Sequence, residues 1–112
     1  MTSNPLLAMT CDSVNPTELD GLAQYLTYLH SDWTIVDGRY IERQFNLPDF
    51  KTALALVNGI GDIAERHFHH PDLTLSWGNV GVILVTHSVN RLTLNDLILA
   101  AHIDALKCDI EN

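Results

Sequence analysis

The chain is short of positive charge. Six Lys and Arg stand against fourteen Asp and Glu, a formal net charge of −8 with histidine neutral. The six cations (Arg39, Arg43, Lys51, Arg66, Arg91 and Lys107) are scattered through the sequence. Direct binding to nucleic acid or to an anionic membrane surface is thereby disfavoured, because both need clustered basic residues. Cysteine is nearly absent: Cys11 and Cys108 sit near opposite ends, in no CxxC or ladder spacing. So few thiols in a chain of this size imply a reduced, intracellular setting and no disulfide framework. No apolar run approaches the roughly 20 residues that cross a bilayer, and "PLLAM" has neither a basic flank nor the length of a secretory signal. The expectation is a cytoplasmic protein.

What is present suffices for one core. Of the 112 residues 46% are apolar, enough for a single globular domain without cross-links. Residues 1–15 lack periodicity and are expected to form a partly ordered arm, leaving 16–112 as the domain. A first helix is expected over "NPTELDGLAQYLTYLH", with Asn15 as cap, Pro16 in the first turn, and an apolar stripe of Leu19, Leu22, Leu26 and Leu29. Trp33 to Val36 and Arg39 to Leu47 then flank Asp37-Gly38, a dipeptide favoured in two-residue type I′ turns, so they should pair. A second helix should run from near Pro48 to about Arg66. Gly59 and Gly61 inside it point to a close backbone contact on that face.

Pro71 stops the helix, and "LTLSWGNVGVILVTH" reads as a second hairpin. A turn at Gly78-Asn79 would set Trp77 across from Val80 and, carried outward, His70 across from His87. The last element, "LTLNDLILAAHIDALKCDI", starts with Thr93 and Asp96 in capping-box relation. It carries two apolar faces, one of Leu94, Leu97, Ile98, Ala101 and Ala105, the other of Leu99, Ile103, Leu106 and Ile110. Two faces imply cover from outside, hence self-association through this helix. The order helix, hairpin, helix, hairpin, helix gives an α+β fold: a four-stranded antiparallel sheet with helices packed on one face.

The conspicuous feature is "AERHFHHPD", with His67, His69 and His70 in four consecutive positions at the end of the second helix. Carbonyl groups at a helix C-terminus favour protonated imidazole, and histidine can give or take a proton at neutral pH. His69, His70 and His87 together therefore suggest acid–base chemistry. A zinc or copper site and a satisfied polar cluster at a sheet edge are the competing readings. His67 reads as a helix-end residue, and His30 and His102 as ordinary helix-surface or interface residues. Trp77 suits a core position as well as a ligand platform, and Asp96 can simply serve the cap.

The pattern of Glu65, three residues, His69-His70-Pro71, five residues, Trp77, nine residues, His87, eight residues and Asp96 resembles the signature of the pterin-4a-carbinolamine dehydratases, also known as dimerization cofactors of a homeodomain transcription factor. "DGRYIERQFNLPDF" resembles the first hairpin and helix start of that family. Trp77 and Gly78 stand where many members carry Tyr-Asn, and Phe68 where a polar residue is common. The resemblance implies dehydration of 4a-hydroxytetrahydropterin to quinonoid dihydropterin, with no metal and no organic cofactor. It implies His69 and His87 as general acids, His70 as substrate contact and base, and Asp96 as the group orienting a histidine. Glu65, Pro71, Asp72, Trp77 and Thr86 would contact substrate. It further implies a homodimer or homotetramer, through the sheet edge and the C-terminal helix, and an alternative role as a non-catalytic interaction module.

Overall fold

A computed structural model of the chain describes residues 4–11 and 19–111. The elements are α1 (Leu19–Leu26), β1 (Thr34–Val36), β2 (Tyr40–Asn46), α2 (Phe50–His67), β3 (Asp72–Ser76), β4 (Asn79–Leu84) and α3 (Leu94–Glu111), preceded by a 3-10 turn at Pro5–Ala8. The strands form one antiparallel sheet in the order β1-β2-β4-β3. The α+β fold with a four-stranded antiparallel sheet is thus as the patterning implied. The start expected at Asn15 and Pro16 lies outside the described residues, and the helical segment of α1 stops before Leu29. No described helix is long and apolar enough to cross a membrane.

Alternation along the strands places the core. Ile41, Arg43 and Phe45 of β2 face inward opposite Leu84, Val82 and Val80 of β4, as period-two side chains must on one face of a sheet. A guanidinium at an inward position needs a partner, since burying an unpaired charge is strongly unfavourable. Arg43, 7% exposed, finds one in Asp104 of α3: its Nη1 donates to Oδ1 over 2.6 Å, and its charged head lies 4.2 Å from the centre of the Phe45 ring. Trp33 Nε1 donates to the same carboxylate oxygen at 2.8 Å, and the His30 backbone N–H donates to Oδ2 at 3.0 Å. Asp104 thereby ties α3 to the sheet and to the segment that follows α1.

Both hairpins differ in register from the sequence expectation. Asp37 and Gly38 do adopt left-handed conformations (φ 54° and 66°), and Arg39 N–H donates to Val36 C=O, the geometry of a type I′ turn. Val36 nevertheless pairs with Tyr40, so Arg39 is an added loop residue. In the second hairpin Ser76 pairs with Asn79, so the turn is Trp77-Gly78. The register is displaced by two residues from the expected one. The reason lies at the tip: Leu47 N–H donates to Gly78 C=O at 2.8 Å, and a Cβ at Gly78 would sit 2.8 Å from the Leu47 carbonyl oxygen. Glycine is needed there for close approach rather than for a positive φ.

The last helix is largely enclosed. Leu97, Leu99, Ala100 and Ile103 are fully buried, and Ile98 and Ala101 are 2% exposed. Much of both apolar faces is covered within the chain, because α3 packs on α2, on α1 and on the 3-10 turn, whose Leu6 is itself fully buried, while Leu94, Ala105, Leu106 and Ile110 remain half-buried. A segment without periodicity thus supplies cover that the helix pattern alone assigned to a second copy.

The two glycines of α2 behave differently. A Cβ at Gly59 would meet Leu106 Cδ2 of α3 at 2.6 Å, whereas one at Gly61 meets nothing within 4 Å. The close helix contact read from the sequence exists at Gly59 only. Gly61→Ala is expected to stabilise the fold by about 0.5–1 kcal/mol, and Gly59→Ala to forfeit that gain by displacing Leu106. Urea denaturation of the two variants checks the contrast, which is lost if both shift the midpoint equally.

Candidate active site

The histidine cluster is shaped by how α2 ends. Phe68 takes the left-handed conformation (φ 53°, ψ 36°), and its N–H and that of His69 both return to Ala64 C=O. Such a residue closes a helix by satisfying its last carbonyls. The reversal at Phe68, whose side chain is 87% exposed, sends the next two imidazoles in different directions. His69 points to α3 and His70 back along α2.

His69 meets the most enclosed polar group of the site. Asp96, fully buried in the first turn of α3, holds His69 Nε2 at 2.6 Å through Oδ1. Its other oxygen accepts from Thr93 N–H and from the Thr86 hydroxyl, each at 2.9 Å. Three donors around one carboxylate supply the partners that a buried polar group requires. Because the carboxylate only accepts, Nε2 of His69 carries the proton and Nδ1 is the nitrogen left for chemistry. The Thr93 hydroxyl does not close the capping box on Asp96 N–H: it meets Thr86 Oγ1 at 2.7 Å and, with the Thr86 proton given to Asp96, it is the donor. Thr86 is therefore committed to holding Asp96.

Two more imidazoles carry carboxylates at the open rim. His70 Nε2 lies 2.5 Å from Glu65 Oε2, and His87 Nε2 lies 3.5 Å from Asp72 Oδ2, an ion-pair distance. All four of these side chains are mostly exposed, against 12% for His69. His87 stands on a tight loop closed by the bridge between Thr86 and Arg91, in which Asn90 is left-handed. β4 ends at Leu84 and β3 begins at Asp72, so His87 lies beyond the ladder, on the loop that carries it to Asp72 rather than opposite His70.

Glu65, His69, His70, Asp72, Thr86, His87 and Asp96 are linked in this way, and Pro71 lies between His70 and the first residue of β3. Trp77 is apart from them. It is 68% exposed in the hairpin turn, five residues along β3 from Asp72 and so about 16 Å away. A groove of about 290 Å³ between α2 and α3, lined among others by Gly59, Asp62, Arg66, His102 and Asp109, contains none of these residues. Among the described residues no three His, Cys, Asp or Glu side chains are grouped to hold a metal ion; each rim imidazole faces a carboxylate instead.

Sequence reasoning missed Thr93 as part of the site, having read it only as a cap. It also missed the state of His67. That side chain, 8% exposed, accepts from Cys11 N–H through Nδ1 at 3.2 Å and lies 4.7 Å from the His102 ring, the two planes tilted by 47°. Burial, then the charges of His102, Arg66 and His69, lower its pKa from the usual value. The proximity of helix carbonyls does not prevail, and His67 stays neutral.

Comparison with known proteins gives the family. The family model for pterin 4 alpha carbinolamine dehydratase matches residues 15–106. The chain belongs to the pterin-4a-carbinolamine dehydratase family. A protein of Alkaliphilus metalliredigens, provisionally named a pterin-4-alpha-carbinolamine dehydratase, is 39% identical over 89 residues, 80% of either chain. One of Aromatoleum aromaticum with the same provisional name is 45% identical over 75 residues, 66% of this chain and 67% of that one. Among solved structures, a transcriptional coactivator/pterin dehydratase from Brucella melitensis superposes with a TM-score of 0.73 at 33% identity, covering 82% of this chain and 98% of that one. A pterin dehydratase-like RuBisCO assembly factor of the alpha-carboxysome shares the fold at TM-score 0.59 and 18% identity, over 69% of this chain and 90% of its own.

A neutral buried His67 has a consequence for stability. Since its folded pKa is lowered, the unfolded chain binds the proton more readily. The favourable contribution is complete above about pH 6.5 and is lost as pH falls toward the folded value. Denaturation midpoints measured from pH 8 to pH 5 should fall less steeply for His67→Gln than for the native chain. Parallel profiles would show that His67 protonation carries no part of the acid loss.

Proposed function

We propose that this chain dehydrates a 4a-hydroxytetrahydropterin to the quinonoid dihydropterin, the step that recycles the pterin after aromatic amino acid hydroxylation. The observation that carries the reading is His69, with Nε2 held by a buried carboxylate and Nδ1 left for proton transfer. Hydroxide is a poor leaving group. The oxygen on C4a must therefore receive a proton and depart as water, while N5 gives up its proton and the C4a–N5 double bond forms. Histidine suits both transfers near pH 7.

In this reading His69 and His87 act as general acids toward the two faces of C4a, and His70 contacts substrate and accepts the N5 proton. Each is backed by a carboxylate (Asp96, Asp72 and Glu65 respectively) that orients it. Glu65, Pro71 and Asp72 form the surroundings of the pterin, and the step uses neither a metal nor an organic cofactor. Thr86 serves through Asp96 rather than on substrate. Trp77, remote from the histidines of its own chain, has no role toward them.

Association into dimers or tetramers belongs to the same proposal, now through the open edge of β3. Leu75 and Trp77 are exposed there, and an uncovered edge strand invites pairing. Sedimentation velocity of the full chain should show a species of at least two copies that Leu75→Lys weakens; a monomer at all concentrations would overturn this part.

The activity is tested by stopped-flow absorbance on chemically generated 4a-hydroxytetrahydropterin. The native chain should accelerate dehydration over buffer and be indifferent to chelator. His69→Ala should lose about 10² to 10⁴ of the rate. Asp96→Asn, which turns an amide donor toward Nε2 and reverses the His69 tautomer, should lose a comparable factor. No acceleration by the native chain would leave an interaction module as the better reading.

A further inference from the structure

The pair of His69 and Asp96 spans a seam between the C-terminus of α2 and the first turn of α3. A residue far from both in sequence crosses the same seam. Cys11, 7% exposed, donates its backbone N–H to Nδ1 of His67, the last residue of α2. Its thiol donates at 3.3 Å to the carbonyl of Asn95, the residue before Asp96. The two contacts reach 56 and 84 positions along the chain.

We infer that Cys11 is a positioning residue for the His69–Asp96 pair, fastening the end of α2 to the start of α3 from the N-terminal segment. The inference rests on the acid–base reading of the site. His67 is two residues before His69, and the reversal at Phe68 leaves only a short stretch of backbone between the Cys11 contact and the His69 ring. On the other side, Asn95 and Asp96 are adjacent. A donor that loses its hold on Asn95 lets the first turn of α3 move relative to α2, and the 2.6 Å contact between His69 and Asp96 is the one such a movement lengthens. Leu6, fully buried against α3, keeps the segment in place, so that Cys11 acts from an anchored support.

Neutral His67 is part of the device. Only an unprotonated Nδ1 can accept from the Cys11 N–H, and burial beside His102 keeps that nitrogen unprotonated. The residue that sequence reading set aside as a helix end thus links the N-terminal segment to the catalytic elbow. The exposed Cys108 has no place in it.

The test compares Cys11→Ala, which deletes the thiol donor, with Cys11→Ser, which keeps a donor of similar reach, and with Cys108→Ala as control. Circular dichroism establishes that each is folded; should the alanine variant not fold, Cys11→Val fills the volume without a donor. The first readout is the downfield proton resonance of the His69 ring N–H bonded to Asp96. It should move upfield or broaden in Cys11→Ala and return in Cys11→Ser. The second is a fall of about three- to tenfold in kcat with KM unchanged, rescued by serine. Because the resonance is read without substrate, it tests Cys11 even if the native chain proves inactive, in which case the dehydratase reading alone fails. An unaltered resonance in a folded donor-less variant, or equal losses in the alanine and serine variants, would overturn the inference.

Discussion

One fully buried carboxylate organises this molecule's chemistry. Asp96 is surrounded by donors from three separate parts of the chain: the imidazole that follows α2, the hydroxyl of Thr86 beyond β4, and the backbone N–H at the head of α3. Removing any of these leaves a charge underserved in a place water does not reach, a change of roughly 1–3 kcal/mol per missing partner. Fold and site are consequently coupled. The group that orients His69 is also the group that holds the elements around it in register.

The elbow at Phe68 gives the complementary half of the arrangement. Adjacent residues in an extended stretch point to opposite sides, and His69 and His70 use that divergence after the helix has been closed. One imidazole enters the protein and acquires an enclosed carboxylate; the other remains at the surface with an exposed one. Identical side chains one peptide apart thereby occupy unlike electrostatic environments, which is how a site made of a single residue type can give groups different roles.

Much of this was legible in the sequence. The helical stripes, the strand alternation and the proline after the histidines give the order of elements and place the cluster at the end of α2. The spacing of Glu65, His69, His70, His87 and Asp96 is what carries the family. What escaped has physical causes. The packing of Leu6 on α3 comes from a segment with no period, so the second apolar face of α3 was assigned to a partner. Thr93 was legible as a cap, but its hydroxyl turns to Thr86, a choice made by tertiary contact. The state of His67 depends on burial and on a neighbour 35 positions away, neither of which local spacing contains.

The displaced hairpin shows how far such a contact can act. A shift of two residues between β3 and β4 leaves every side chain on its original face, so the apolar core cannot distinguish the two alignments. Selection between them falls to the tip, where the Gly78 carbonyl docks on Leu47. At the opposite end of the strand the ladder stops at the pair of Asp72 and Ile83, and His87 reaches Asp72 from the loop beyond it. The alignment of β3 on β4 is thus held by a glycine lying a strand's length from the histidines, and hairpin-tip residues in this fold carry positional information without approaching the site.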